Sequence, residues 1–281
     1  MKKFAYAWIL MVLLLAGCRQ EESVYVAEED DTITVNYEVE IGDGTDSRGI
    51  GDGSRVDQLV VGIFRDGSLV TTLTFADDAD GTKDGKFQNI AIPMMRTETY
   101  DLAFWAQKNG NGIYDINEDN FQVNINYAAY NEKLQEVENY DAFSGKKLGV
   151  SAANPGAKNI TLTRPFAQLN VGEIGDVSSV SQVVMQVQGV PNVYCPLNGS
   201  MTGATTCEFE FKFEDNAPNS GSQLETADGI YSYLASAYLL PVTATGVKVL
   251  ITQGNVVHTL EVDDVTLQAK QRTNIVGDFL N

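Results

Sequence analysis

The chain is predicted to be all-β, with two antiparallel sandwiches in tandem. Apolar and polar residues alternate with period two in many short segments, and no window carries a helical period beyond a short turn near 128–137. Gly, Asn and Asp separate those segments, as tight connections between antiparallel strands require. A turn at Asn154-Pro155-Gly156 divides the sequence into halves that each hold six or more strand candidates.

The segment Thr32–Ile41 is the clearest element. Ile33, Val35, Tyr37, Val39 and Ile41 fall on one face, and Thr32, Thr34, Asn36, Glu38 and Glu40 on the other. The next strands are 56–64, 68–75, 87–92, 99–107, 121–125 and 160–163, with Asp66-Gly67 as the hairpin turn between the second and third. Further along come 166–171, 183–187, 208–213, 230–239, 247–252, 256–262 and 272–279. Phe104 and Trp105 are adjacent in one strand, so only one of them is expected to face a core, leaving the other for an interdomain contact or a sugar. The expected domains are 32–156 and 157–281, preceded by a polar, acidic tether over 18–31.

The first 17 residues read differently. Lys2 and Lys3 precede 13 uncharged residues, Phe4–Ala16, too few to span a bilayer and suited to a secretory signal. Their ending, Leu15-Ala16-Gly17-Cys18, resembles the lipobox of bacterial lipoproteins. That resemblance makes Cys18 the acylated first residue of a chain held at the bacterial outer membrane and exposed at the cell surface. Glu21-Glu22 resembles the surface-export signals of Bacteroides-group lipoproteins.

Removing residues 1–17 leaves 264 residues, and lowers the 19 basic residues to 17 against 38 acidic, a net charge of −21. A chain so acidic repels phosphate backbones, so a nucleic-acid partner is excluded. Of three cysteines, Cys195 and Cys207 remain. Twelve residues apart around a turn-rich stretch, they are either a disulfide between neighbouring strands or two free thiols.

Nothing in the sequence asks for an enzyme or a cofactor. The chain has one histidine, His258, and neither a nucleophile elbow nor a phosphate loop. The stretch 107–118 places Asn109, Asn111, Asp115 and Glu118 at the spacing of a calcium loop, but Gln107 stands where the first aspartate belongs. An ordinary Asn-Gly turn accounts for the same residues.

Several patterns in order resemble the fimbrillin-type proteins of Bacteroides-like bacteria and their lipoprotein relatives. They are Val60–Gly67, Tyr100–Ala106, Asn139–Gly145, Leu162–Val171 and the closing Arg272–Leu280, after a lipobox, an acidic tether and an arginine-containing loop. The resemblance implies two transthyretin-like sandwiches and assembly with other fimbrial subunits by β-strand complementation. In that scheme a protease cuts after an arginine, the first strand leaves, and a neighbour's strand fills the groove. Carried onto this sequence, the removable strand is Thr32–Ile41, with Ile33, Val35, Tyr37, Val39 and Ile41 as groove plugs. The cut falls in the 42–55 loop, between Arg48 and Gly49, or after Arg55 as second choice.

Two alternatives stay open. Thr32–Ile41 is either removable or a permanent strand. The protein is either a fimbrial or adhesion subunit, or a non-polymerising surface lipoprotein that binds glycan or host protein. With Asn281 directly after Phe279-Leu280, the chain is expected to accept a strand and not to offer one, which favours a tip or accessory role.

Overall fold

A computed structural model describes residues 31–42, 53–76, 85–130, 133–213 and 223–281. The strands of the first half are β1 (Thr32–Ile41), β2 (Gln58–Arg65), β3 (Ser68–Ala76), β4 (Lys86–Met95), β5 (Tyr100–Gln107), β6 (Tyr114–Ile116), β7 (Val123–Ile125), β8 (Ala142–Val150) and β9 (Asn159–Leu162). Then come β10 (Ala167–Glu173), β11 (Val180–Val190), β12 (Val193–Tyr194), β13 (Met201–Thr202), β14 (Thr205–Lys212) and β15 (Gln223–Thr226). The last are β16 (Gly229–Leu239), β17 (Val242–Gln253), β18 (Val256–Leu267) and β19 (Arg272–Gly277). Two 3₁₀ turns, Tyr127–Ala129 and Leu134–Tyr140, occupy the stretch where the sequence suggested a short helical turn. The fold is all-β.

Five sheets result, in the orders β4-β1-β9, β3-β2-β5-β8, β13-β12-β7-β6, β15-β16-β10-β19 and β14-β11-β17-β18. The first two face each other across an apolar cluster confined to residues between Val35 and Leu162. The last two enclose a second cluster, and the small sheet made by β6, β7, β12 and β13 joins strands from both halves.

Strands β2 and β5 are buried on both faces. Leu59, Val61, Ile63, Leu102, Phe104 and Ala106 enter the first cluster, whereas Val60, Phe64, Ala103 and Trp105 enter the second. The expectation that only one of Phe104 and Trp105 meets a core is therefore corrected: each fills a different one. Trp105 lies 5.3, 6.1 and 5.8 Å from the rings of Tyr114, Phe166 and Tyr194, and its indole N–H donates to Gln107 Oε1 at 2.8 Å.

Strand β8 went unread in the sequence because glycine and lysine blur its alternation. Gly145 is demanded by space: a Cβ there would come within 2.7 Å of Leu162 Cδ2, so β9 can press against β8 only over a bare backbone.

Candidate functional site

The site is the slot that β1 occupies. β-Branched and aromatic residues on alternate positions favour an extended chain whose one face is buried. The structure keeps that phase: Val35, Tyr37 and Val39 are buried, Ile33 and Ile41 are half-buried, and Thr34, Asn36, Glu38 and Glu40 are exposed. Phe87, Ile90, Ile92 and Met94 of β4 and Ile160 and Leu162 of β9, its neighbours in the same sheet, join them in the first apolar cluster.

Position within the sheet matters more than burial. β1 is the central strand, running parallel to β9 with Glu38 beside Asn159 and Ile41 beside Leu162. Among the described residues, β4 and β9 each form their ladder with β1 alone. Taking β1 away would leave a gap one strand wide, with two rows of unpaired backbone groups facing each other above an apolar floor. β4 is suited to an open outer edge, since Pro93 within it has no N–H to leave unpaired.

The far end of β1 is fastened by its neighbours' backbone. Ile41 N–H donates to the Gly85 carbonyl at 3.0 Å, and Gly42 N–H to the Leu162 carbonyl at 2.9 Å. Gly53 and Gly85 both have left-handed φ, and a Cβ on either would lie 3.0 Å from the Ile41 side chain. Gly53 and Gly85 are thus small enough to admit the Ile41 side chain.

The wall formed by β9 has a second support. Thr163, which follows β9, exchanges both backbone hydrogen bonds with Ser144 of β8 at 2.9 Å. Arg164 then grips Asp141 with Nε to Oδ1 and Nη2 to Oδ2, each at 2.6 Å, and both side chains are buried. The guanidinium carbon lies 4.8 Å from the centre of the Phe143 ring and 5.7 Å from that of Tyr238. Burial pushes the Asp141 carboxyl above its ordinary range, against the pull of Arg164's hydrogen bonds and charge. Tyr130 adds a reciprocal pair, donating to the Tyr238 carbonyl and accepting from the Tyr238 N–H, both at 3.0 Å. Sequence reading missed this cluster as a unit, although Asp141 and Arg164 sit inside two of the patterns it singled out.

The remaining candidate residues are placed as follows. Cys18, Arg48 and Gly49 lie outside the described residues. Arg55 is exposed, yet it sits in a turn closed by a hydrogen bond from Val56 N–H to the Gly53 carbonyl at 3.0 Å. The next residue, Val56, is fully buried, and Asp57 N–H donates to the Gln107 carbonyl at 3.2 Å. A protease binds its substrate extended over several residues, so a cut after Arg55 requires extracting Val56 first. An arginine-specific protease acting on the native chain is therefore expected to cut the Arg55–Val56 bond at least about tenfold more slowly than in the denatured chain. Timed N-terminal sequencing of the fragments checks this, and rapid native release of a fragment starting at Val56 would contradict it.

Cys195 and Cys207 are thiols in the structure, the first half-buried and the second buried, and burial pushes the Cys207 thiol up to about 12. In the calcium-like stretch, Asn111 Oδ1 accepts the backbone N–H groups of Ile113 at 3.1 Å and Tyr114 at 3.4 Å, the bonding of an Asx turn. Asn109 N–H donates to Asp57 Oδ1 at 2.6 Å, Asp115 lies on β6 opposite Asn124, and Glu118 is exposed. Among the described residues, no group of three or more His, Cys, Asp and Glu is placed to hold a metal ion.

A family model described as a family of unknown function (DUF6562) matches residues 26–281. No curated protein matches the chain. Among solved structures, the tip fimbrial protein Mfa3 from Porphyromonas gingivalis, determined with a C-terminal truncation, is 11% identical with a TM-score of 0.44. That alignment covers 89% of this chain and 96% of the other. A fimbrial assembly protein from Parabacteroides distasonis is 13% identical with a TM-score of 0.45, over 88% of this chain and 92% of the other.

Proposed function

The chain belongs to this family of unknown function, and from the geometry of its first strand we propose that it is a fimbrial or adhesion subunit of the bacterial cell surface. In this reading Cys18 carries lipid and holds the new subunit at the outer membrane. A cut between Arg48 and Gly49 separates β1 from the rest. The slot between β4 and β9 then accepts a strand from another fimbrial subunit.

One observation carries the proposal. β1 is the middle strand of a three-stranded sheet, and its flanking strands have ladders with it alone among the described residues. A permanent strand could equally sit at an edge. A placeholder has to sit between two walls, so that its departure exposes hydrogen-bonding groups on both sides and apolar pockets beneath. The support of β9 through Thr163 and Arg164 suits that role, because it does not depend on β1. The sequence resemblance to fimbrillin-type proteins points to the same use. Held permanently, β1 would instead suit a surface lipoprotein that binds glycan or host protein without polymerising.

Crosslinking tests the proposal. A photoreactive phenylalanine analogue in place of Phe87, a fully buried residue of the flanking strand β4 in the same apolar cluster as β1, reports what lies in the slot. On protein assembled at its native surface, the crosslinked peptide is expected to come from a different subunit. Crosslinks only to the chain's own 32–41 segment would contradict the proposal.

A further inference from the structure

The middle of the slot does more than accept an apolar side chain. Val35 and Val39 are buried among hydrocarbon, but Tyr37 sends its hydroxyl to a defined acceptor, donating to the Pro155 carbonyl at 3.1 Å. The same short loop takes the next backbone group of β1, since Glu38 N–H donates to the Lys158 carbonyl at 2.9 Å. Lys147 braces the loop from beneath: its ammonium donates to the Ala157 carbonyl and stands 5.7 Å from the centre of the Tyr37 ring.

The loop is built to hold that shape without β1. Ser151 and Asn154 exchange backbone hydrogen bonds at 3.2 and 3.1 Å, and Asn154 N–H also reaches Ser151 Oγ at 3.1 Å. Gly156 is left-handed with φ of 67°, and a Cβ there would stand in tight contact with Lys147 Cε at 3.0 Å. A side chain at 156 would therefore strain the backbone and push the lysine that positions the loop aside by a few tenths of an ångström.

On the strand-exchange reading, we infer that the loop Pro155–Lys158 reads the incoming strand and selects one with tyrosine at its centre. The partner is an extended segment of another subunit, with small aliphatic residues two positions before and after a tyrosine and polar residues between them. It lies parallel to β9, in the register that β1 now holds. Phenylalanine fills the same volume but leaves the Pro155 carbonyl without its donor, and a leucine also loses contact with the lysine. The valine pockets offer no polar atom and discriminate by size alone. Aromatic selection therefore rests on one carbonyl and the lysine beside it.

The test uses the full chain with a site-specific protease sequence in place of residues 45–50, nicked to completion. Labelled ten-residue peptides matching Thr32–Ile41, with Tyr, Phe or Leu at the position of Tyr37, then compete for the slot. The tyrosine peptide is expected to be retained about tenfold better than the phenylalanine peptide. Gly156→Ala is expected to bring that ratio close to one while still binding both. Equal retention of tyrosine and phenylalanine peptides by the unsubstituted chain would overturn the selection and leave strand exchange intact. Exchange of no peptide into the nicked chain would overturn strand exchange itself, and the selection with it.

Discussion

A chain lacking Thr32–Ile41 is expected to lose most of its stability, and to regain it when the missing strand is supplied as a separate peptide. Burying Val35, Tyr37 and Val39 contributes roughly 6 kcal/mol at about 2 kcal/mol per side chain. That is comparable with the whole stability of an ordinary domain, about 5–15 kcal/mol. The ladders of β4 and β9 would be lost besides. The measurement is denaturant unfolding of residues 42–281, alone and with a synthetic ten-residue peptide of the β1 sequence. Alone, the fragment should unfold at much lower denaturant. With peptide, the midpoint should climb with peptide concentration, because a ligand that binds only the folded form stabilises it by mass action. A fragment as stable as the full chain, or indifferent to peptide, would show that β1 fills no groove.

The second large effect is expected at Arg164. Replacing it by methionine leaves Asp141 buried without its counter-ion, at a cost of about 3–5 kcal/mol. The double variant Asp141→Leu with Arg164→Met removes both charges and should recover most of that loss, because no unpaired charge remains. The pH dependence fixes the cause. Without Arg164, burial and the nearby Glu138 charge act on Asp141 against only the Ala142 N–H, favouring the neutral acid and raising its folded pKa further above the unfolded value. Stability gained from the proton is then complete in acid and is lost as pH rises through the raised pKa. Arg164→Met should therefore fall further below the unsubstituted chain at pH 8 than at pH 5. A deficit independent of pH, or a double variant as unstable as the single, would mean that volume and not charge is at stake.

That ion pair also shows where sequence reading stops. Asp141 and Arg164 stand 23 residues apart, in segments that attracted notice only as patterns, and nothing in their spacing says that they meet. β1 was legible because every one of its ten residues keeps phase, so local pattern and tertiary burial agree. β8 was not, because Gly145 answers to the close approach of Leu162 and not to strand propensity. The Asn154-Pro155-Gly156 turn was read as a seam between halves, and it is also the loop against which the Tyr37 hydroxyl rests. A turn's composition announces that the chain bends but is silent about what the exposed carbonyl faces. Phe104 and Trp105 mislead for a related reason: alternation assumes one buried face, and β5 has two.

The most direct test of the placeholder reading is the N-terminal residue of the protein recovered from its native surface. Cutting after Arg48 predicts molecules that begin at Gly49 and have lost both the lipid of Cys18 and the strand Thr32–Ile41. Molecules that all begin at an acylated Cys18 would contradict it and make β1 a permanent part of the sheet.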